Sequence, residues 1–206
     1  MRRILPTFID TRYDIILSRE RRLAKGIARS VVEMPEVSVW AYMIPLVFIL
    51  NFLKYRRTRE IFTLNFLFTK KLALEAARDI MKEGQPRRDV LAQIEDKTSD
   101  ILAADKRGVY AEKIRRKQMN EINLLVDHYL KLLEAEGKSY ESLVKNAYQT
   151  RDNYEAFLRE LTLAEKAVNR AAIQTMGRTQ TASELISMME KATERIRTEE
   201  AEKIFS

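Results

Sequence analysis

Cysteine is absent from the 206 residues of this chain. That excludes disulfide frameworks, thiolate metal sites and cysteine nucleophiles, and it is compatible with the cytoplasm. A single histidine, His128, stands beside Asp127. A di-iron bundle needs Glu-x-x-His on each of two helices, and neither position 125 nor 131 is Glu. His128 is therefore expected to be a partly exposed or capping residue. The five glycines are scattered singly, so no glycine-rich phosphate loop can form. No catalytic set is recognisable. The sequence points to a non-enzymatic protein without cofactor or metal, and it indicates no small-molecule substrate.

Breakers are few, five Gly and four Pro, while Ala, Leu, Glu, Lys and Arg abound. That composition predicts an all-α protein. Mean hydropathy is negative, so any membrane contact has to come from a local segment. The net charge of +7 is unevenly placed. Residues 1–85 hold 16 Lys/Arg against 9 Asp/Glu, whereas 86–206 hold 21 of each. The whole excess lies in the first part.

That part also carries the chain's most distinctive feature, an uncharged run over 37–53. Its apolar body includes Leu46, Phe48, Leu50 and Phe52. Trp40 and Tyr42 stand near one end and Tyr55 near the other, as an interfacial aromatic belt requires. Arg56, Arg57 and Arg59 follow at once. Seventeen helical residues rise about 25 Å, short of a hydrocarbon core of about 30 Å. Both flanks are basic, so the positive-inside rule gives no orientation. Equal flanks fit a segment whose two ends face the same leaflet, with Pro45 as a place to bend. The run starts far inside the chain and no small-residue cleavage site follows, so it does not read as a secretory leader.

Helical periodicity organises the remainder. Ile9, Tyr13, Ile16, Leu23, Ile27 and Val31 form a stripe with one gap, and Arg12, Arg19, Arg22 and Arg29 form an opposite, basic face. Gly84-Gln85-Pro86 predicts the main boundary. It separates a basic, apolar-rich helical module (1–85), read as membrane-associating, from an antiparallel bundle of about four helices (86–206). Within the second part, a heptad pattern predicts one long, coiled-coil-like helix over 140–176. Its packing seam includes Tyr154, Phe157, Leu161 and Val168. Ser139 is read as that helix's cap, Thr181-Ala-Ser-Glu184 as a capping box for a last helix, and Glu199–Ser206 as a frayed tail. The compact basic patch Lys113–Lys117 has no helix-turn-helix, zinc or RNA-recognition signature with it and reads as a solvated face.

The expectation is a membrane-associated helical adaptor or scaffold on the cytoplasmic side of a membrane, with an anionic membrane surface as partner. A protein partner or self-association is left open, and nucleic acid is the less favoured ligand. The alternative is a fully soluble, oligomeric bundle. There, 37–53 is a core helix and the basic face binds nucleic acid or an acidic protein.

Overall fold

A computed structural model describes residues 6–31, 58–106, 108, 110–176 and 180–206. Seven helices are present among them: α1 (Pro6–Val31), α2 (Thr58–Glu83), α3 (Arg87–Ala104), α4 (Glu112–Glu134), α5 (Tyr140–Tyr148), α6 (Arg151–Met176) and α7 (Gln180–Phe205). No strand occurs among the described residues, so the chain is all-α as its composition predicts. Residues 86–206 supply five helices, against the four or so expected. The apolar run 37–53 lies outside the described residues.

Side-chain pairs fix the helix directions. Lys82 Nζ reaches Asp10 at 2.7 Å and Arg78 lies 5.0 Å over the Tyr13 ring, while Phe66 packs with Leu23 and Ile27. α1 and α2 therefore run antiparallel, and Val31 and Thr58 stand at the same end of the bundle. Gln118 donates to the Thr69 hydroxyl at 3.0 Å, and Arg12 donates to the Leu133 carbonyl at 2.7 Å near the opposite end. α4 thus runs parallel to α2, and α3 returns the chain between them. Glu165 pairs with Lys70 and Lys113 with Gln174, so α6 runs antiparallel to α4. α7 comes back along α6 through Asn169–Glu190 and Arg151–Glu202, and it packs on α1. There a Cβ on Gly26 would meet Ile196 Cδ1 at 3.3 Å, a close approach that a small residue permits. The ring α1–α2–α4–α6–α7 is then closed. α3 lies outside it on α2 and α4, burying Val90 and Ile94, and α5 packs against α4, α6 and α7.

The helix ends follow local chemistry. Gly84 takes φ +67°, the left-handed conformation that glycine adopts at least cost, and ends α2. Pro86 caps α3, where its missing N–H is no loss. Ser139 and Ser142 cap α5 reciprocally, each hydroxyl accepting from the other's backbone N–H.

Three sequence expectations are corrected here. The heptad helix over 140–176 is interrupted: Gln149 turns to φ 64° and ends α5. Thr150 Oγ1 then accepts from the Asn153 N–H at 3.3 Å, and Asn153 Nδ2 donates to the Tyr148 carbonyl at 3.0 Å. Thr150 falls on the heptad seam by number, yet it is exposed and caps α6. The tail does not fray: α7 continues to Phe205, with Ala201 and Ile204 each 1% exposed. α7 opens at Gln180, so Thr181 stands inside its first turn.

One hydrophobic cluster joins residues from both sides of Gly84–Pro86. Ile16, Leu72, Ala73 and Leu74 pack with Leu125, Leu132, Leu133, Tyr129 and Ile204. Full burial of each large aliphatic stabilises by roughly 1.5–3 kcal/mol. The Gly84–Pro86 break is thus a turn between helices that share a core.

Candidate functional site

Charged side chains from all five helices of the ring meet inside this core. α1 supplies Arg19 and Glu20, α2 Lys70, α4 Glu121, α6 Glu165 and α7 Arg197 and Glu200. Arg197 and Lys70 are buried, as are Glu20 and Glu121. Arg197 donates to both Glu165 oxygens, at 2.7 and 2.8 Å, and Lys70 reaches the same carboxylate at 2.9 Å. Glu121 stands 4.0 Å from Lys70. Beside this group Arg19 holds Glu20 at 2.8 Å and both oxygens of Glu200, with its guanidinium 4.7 Å over the Tyr140 ring.

Three cations face four carboxylates here, and one carboxylate gives way. Burial pushes the Glu121 carboxyl up to about 7; Lys70 opposes this and the Glu165 charge adds to it. Glu165 is desolvated too, but Arg197 and Lys70 outweigh that and bring it down to about 2. Near neutral pH the centre can hold a proton on Glu121, which balances its charges. Glu20 Oε2, Arg197 Nε and the Tyr129 hydroxyl find no hydrogen-bond partner among the described residues. Burial raises the Tyr129 hydroxyl pKa, and the Glu20 charge nearby raises it further.

A polar lining surrounds the ions. Tyr110 OH donates to Gln118 Oε1 at 2.6 Å, and Gln118 passes its amide on to Thr69. Tyr140 and Tyr154 share a hydroxyl contact at 3.3 Å. His128 is buried, which corrects the expectation of a partly exposed or capping histidine. Its Nδ1 meets the Tyr148 hydroxyl at 2.7 Å and its ring stacks on Phe157 at 4.2 Å. Burial and then the Arg19 charge hold its pKa well below the ordinary value, so it is neutral at pH 7. No group of three or more metal-ligating side chains occurs among the described residues.

The residues singled out from sequence scatter. Trp40, Tyr42, Leu46, Phe48, Leu50, Phe52, Tyr55, Arg56 and Arg57 lie outside the described residues, and of Arg59 only its place in the first turn of α2 is described. The four arginines of the expected basic face part company. Arg22 and Arg29 are exposed, Arg12 caps the α4 carbonyls, and Arg19 is 5% exposed at the ionic centre. Of the expected seam, Tyr154, Leu161 and Val168 are buried and Phe157 is half-buried. Sequence reading missed the ionic centre, though it left a signal. The gap in the α1 stripe, between Ile16 and Leu23, is the position of Glu20.

A second charged feature lies on the surface. Lys113, Arg115, Arg116 and Lys117, in the first two turns of α4, line an open groove of about 770 Å³ with Glu95 and Glu112. Glu112 binds Arg115 at 2.7 Å and Arg116 at 3.0 Å, and these hydrogen bonds bring its carboxyl down to about 2. Lys113 meets only the neutral Gln174 amide, and Lys117 has no ion pair among the described residues.

Compared with protein-family models, with curated proteins and with solved structures, the chain matches none.

Proposed function

We propose that this protein is a non-enzymatic helical adaptor or scaffold held on the cytoplasmic side of a membrane, with residues 37–53 as its shallow apolar contact. The antiparallel pairing of α1 with α2 carries this reading. It brings Val31 and Thr58 to one end of the bundle, so the connection holding 37–53 leaves and returns at that end. A single crossing would part those two ends, whereas a segment that dips into one leaflet keeps them together. Among the described residues no helix is long and apolar enough to cross a membrane. The ionic centre supports the scaffold part of the reading. Its charges are paired with one another across the ring, an arrangement suited to holding helices in fixed register.

Vesicle flotation of the full chain tests this. The protein should float with anionic vesicles at low salt. Leu50→Asp should release it, because a charge at the apolar centre costs several kcal/mol, while leaving the melting curve of the bundle in place. Replacing Arg56, Arg57 and Arg59 by Gln should weaken binding to anionic vesicles by about 1 kcal/mol per residue. Wild-type protein that stays in the soluble fraction, with Leu50→Asp unfolding it, would replace the membrane reading with that of a soluble bundle built on a 37–53 core helix.

A further inference from the structure

Divided at the level of the ionic centre, the bundle separates its charges. On the side toward Val31 and Thr58, segments 21–31, 58–69, 93–106, 110–120, 166–176 and 180–195 hold 15 Lys/Arg against 9 Asp/Glu, or +6. On the other side, 6–20, 70–92, 121–165 and 196–206 hold 15 against 19, or −4. The helices are therefore arranged with one cationic end, to which 21–31 contributes four of the six net charges and the helices after Pro86 the other two.

Exposed cations at that end come from five helices, with Lys97 on α3 and Lys191 and Arg195 on α7 among them. α1 presents Arg22, Lys25 and Arg29, α6 presents Arg170, and α4 presents Lys113, Arg116 and Lys117 beside the groove. At 1.5 Å per residue, Lys113 stands about 12 Å beyond Glu121 along α4, and Val31 about 16 Å beyond Glu20 along α1. Lys117 stands about 6 Å beyond Glu121, so the groove runs along α4 toward the end from which the 32–57 connection leaves, and its Lys113 end lies within a turn or so of it. Arg115 and Arg116 share Glu112, but Lys113 and Lys117 keep uncompensated charge.

We propose that this end of the bundle is a docking surface for the phosphates of anionic phospholipid headgroups, with Lys113, Arg116 and Lys117 as its principal contacts outside residues 32–57. The inference rests on the membrane reading above and adds the orientation of the bundle, with this end down. Cations spread over one end, on helices as far apart as α1 and α6, suit a plane of phosphates, and no nucleic-acid recognition signature accompanies the Lys113–Lys117 patch. Each Lys or Arg near an anionic surface contributes about a fivefold gain in partition.

The test compares two charge-matched variants of the full chain in flotation, with vesicles of phosphatidylcholine alone and of equal parts phosphatidylcholine and phosphatidylserine. The first variant is Lys113→Gln/Arg116→Gln/Lys117→Gln. The second is Lys138→Gln/Lys145→Gln/Lys203→Gln, three exposed lysines on the opposite side. The first should lose on the order of a hundredfold in partition to the phosphatidylserine vesicles, keep its partition to phosphatidylcholine, and melt as wild type does. The second should bind as wild type. Equal losses in both would show that net charge alone matters and would overturn the docking surface. So would a first variant that still binds as wild type while wild type floats, and this leaves the membrane reading standing. A wild type that binds neither vesicle overturns both readings. A first variant whose only loss is in the binding of single-stranded RNA would assign the groove to nucleic acid instead.

Discussion

Arg197 and Glu165 meet end-on inside the bundle, joined by two hydrogen bonds of 2.7 and 2.8 Å between α7 and α6. This bidentate geometry is the one in which guanidinium and carboxylate fit best. Lys70 docks on the same carboxylate from α2, so a single side chain ties three helices together.

Because that pair is desolvated, removing one partner leaves the other charge buried alone. Arg197→Ala should destabilise the protein by roughly 3–5 kcal/mol in urea unfolding. Arg195→Ala, two residues away on the other face of α7 and exposed, should stay within about 0.5 kcal/mol. Equal effects at both positions would remove Arg197 from the core.

Glu121 and Glu165 act on stability in opposite pH windows. The Glu165 carboxyl is lowered in the folded state, so its contribution is present above about 4.5 and is lost as pH falls toward about 2. The Glu121 carboxyl is raised, so the folded state binds the extra proton, and stability declines as pH rises from about 4.5 through about 7. Glu121→Gln should flatten the second decline and raise the melting temperature at pH 8. An unchanged profile between those limits would show that Glu121 titrates as an ordinary carboxylate.

Gln149 holds a positive φ that L side chains adopt at a cost, and it is exposed. Gln149→Gly should stabilise by about 0.5–1 kcal/mol, the relief of strain being partly offset by the freedom glycine adds to the unfolded chain. Chemical denaturation reads this directly. A loss of stability would mean that the α5–α6 turn is not strained.

Deleting residues 200–206 should unfold or severely weaken the protein. The truncation removes buried Ala201 and Ile204 and the Phe205 contact with Tyr154, and it takes Glu200 from Arg19. A loss above about 3 kcal/mol is expected from the lost burial of Ala201, Ile204 and Phe205 together with the weakened pairing of Arg19, which keeps only Glu20. A frayed tail would leave the melting curve unchanged.

A fragment of 86–206 should stay helical yet lack fixed packing. Without α1 and α2, Glu200 loses Arg19, Glu165 loses Lys70, and the core loses Ile16, Leu72 and Leu74. Circular dichroism should show helix, while melting becomes broad and the fragment binds a hydrophobic dye. A sharp melt without dye binding would establish 86–206 as a unit that folds alone.

The sequence by itself determined helices and their faces, because 3.6-residue periodicity and caps act within a few neighbours. Ile9, Ile16, Leu23 and Ile27 are buried as the α1 stripe predicts, and Gly84, Pro86 and Ser139 mark the ends they announce. Periodicity also misled where a cap outweighed it. Thr150 fits the heptad by number, but its hydroxyl serves the Asn153 N–H.

Only the tertiary structure decided which charges are interior. Arg19 and Arg22 look alike along the chain, both arginines on the polar face of α1. Yet Arg19 meets Glu200 from 181 residues away and is buried, whereas Arg22 stays in water. Burying a charge depends on a partner arriving from another helix, and no local pattern carries that information. The same holds for the cationic end. Residues 86–206 are neutral as a sum, but folding α3, α4, α6 and α7 up and down sorts their charges by height along the bundle, a quantity that exists only once the helices are packed.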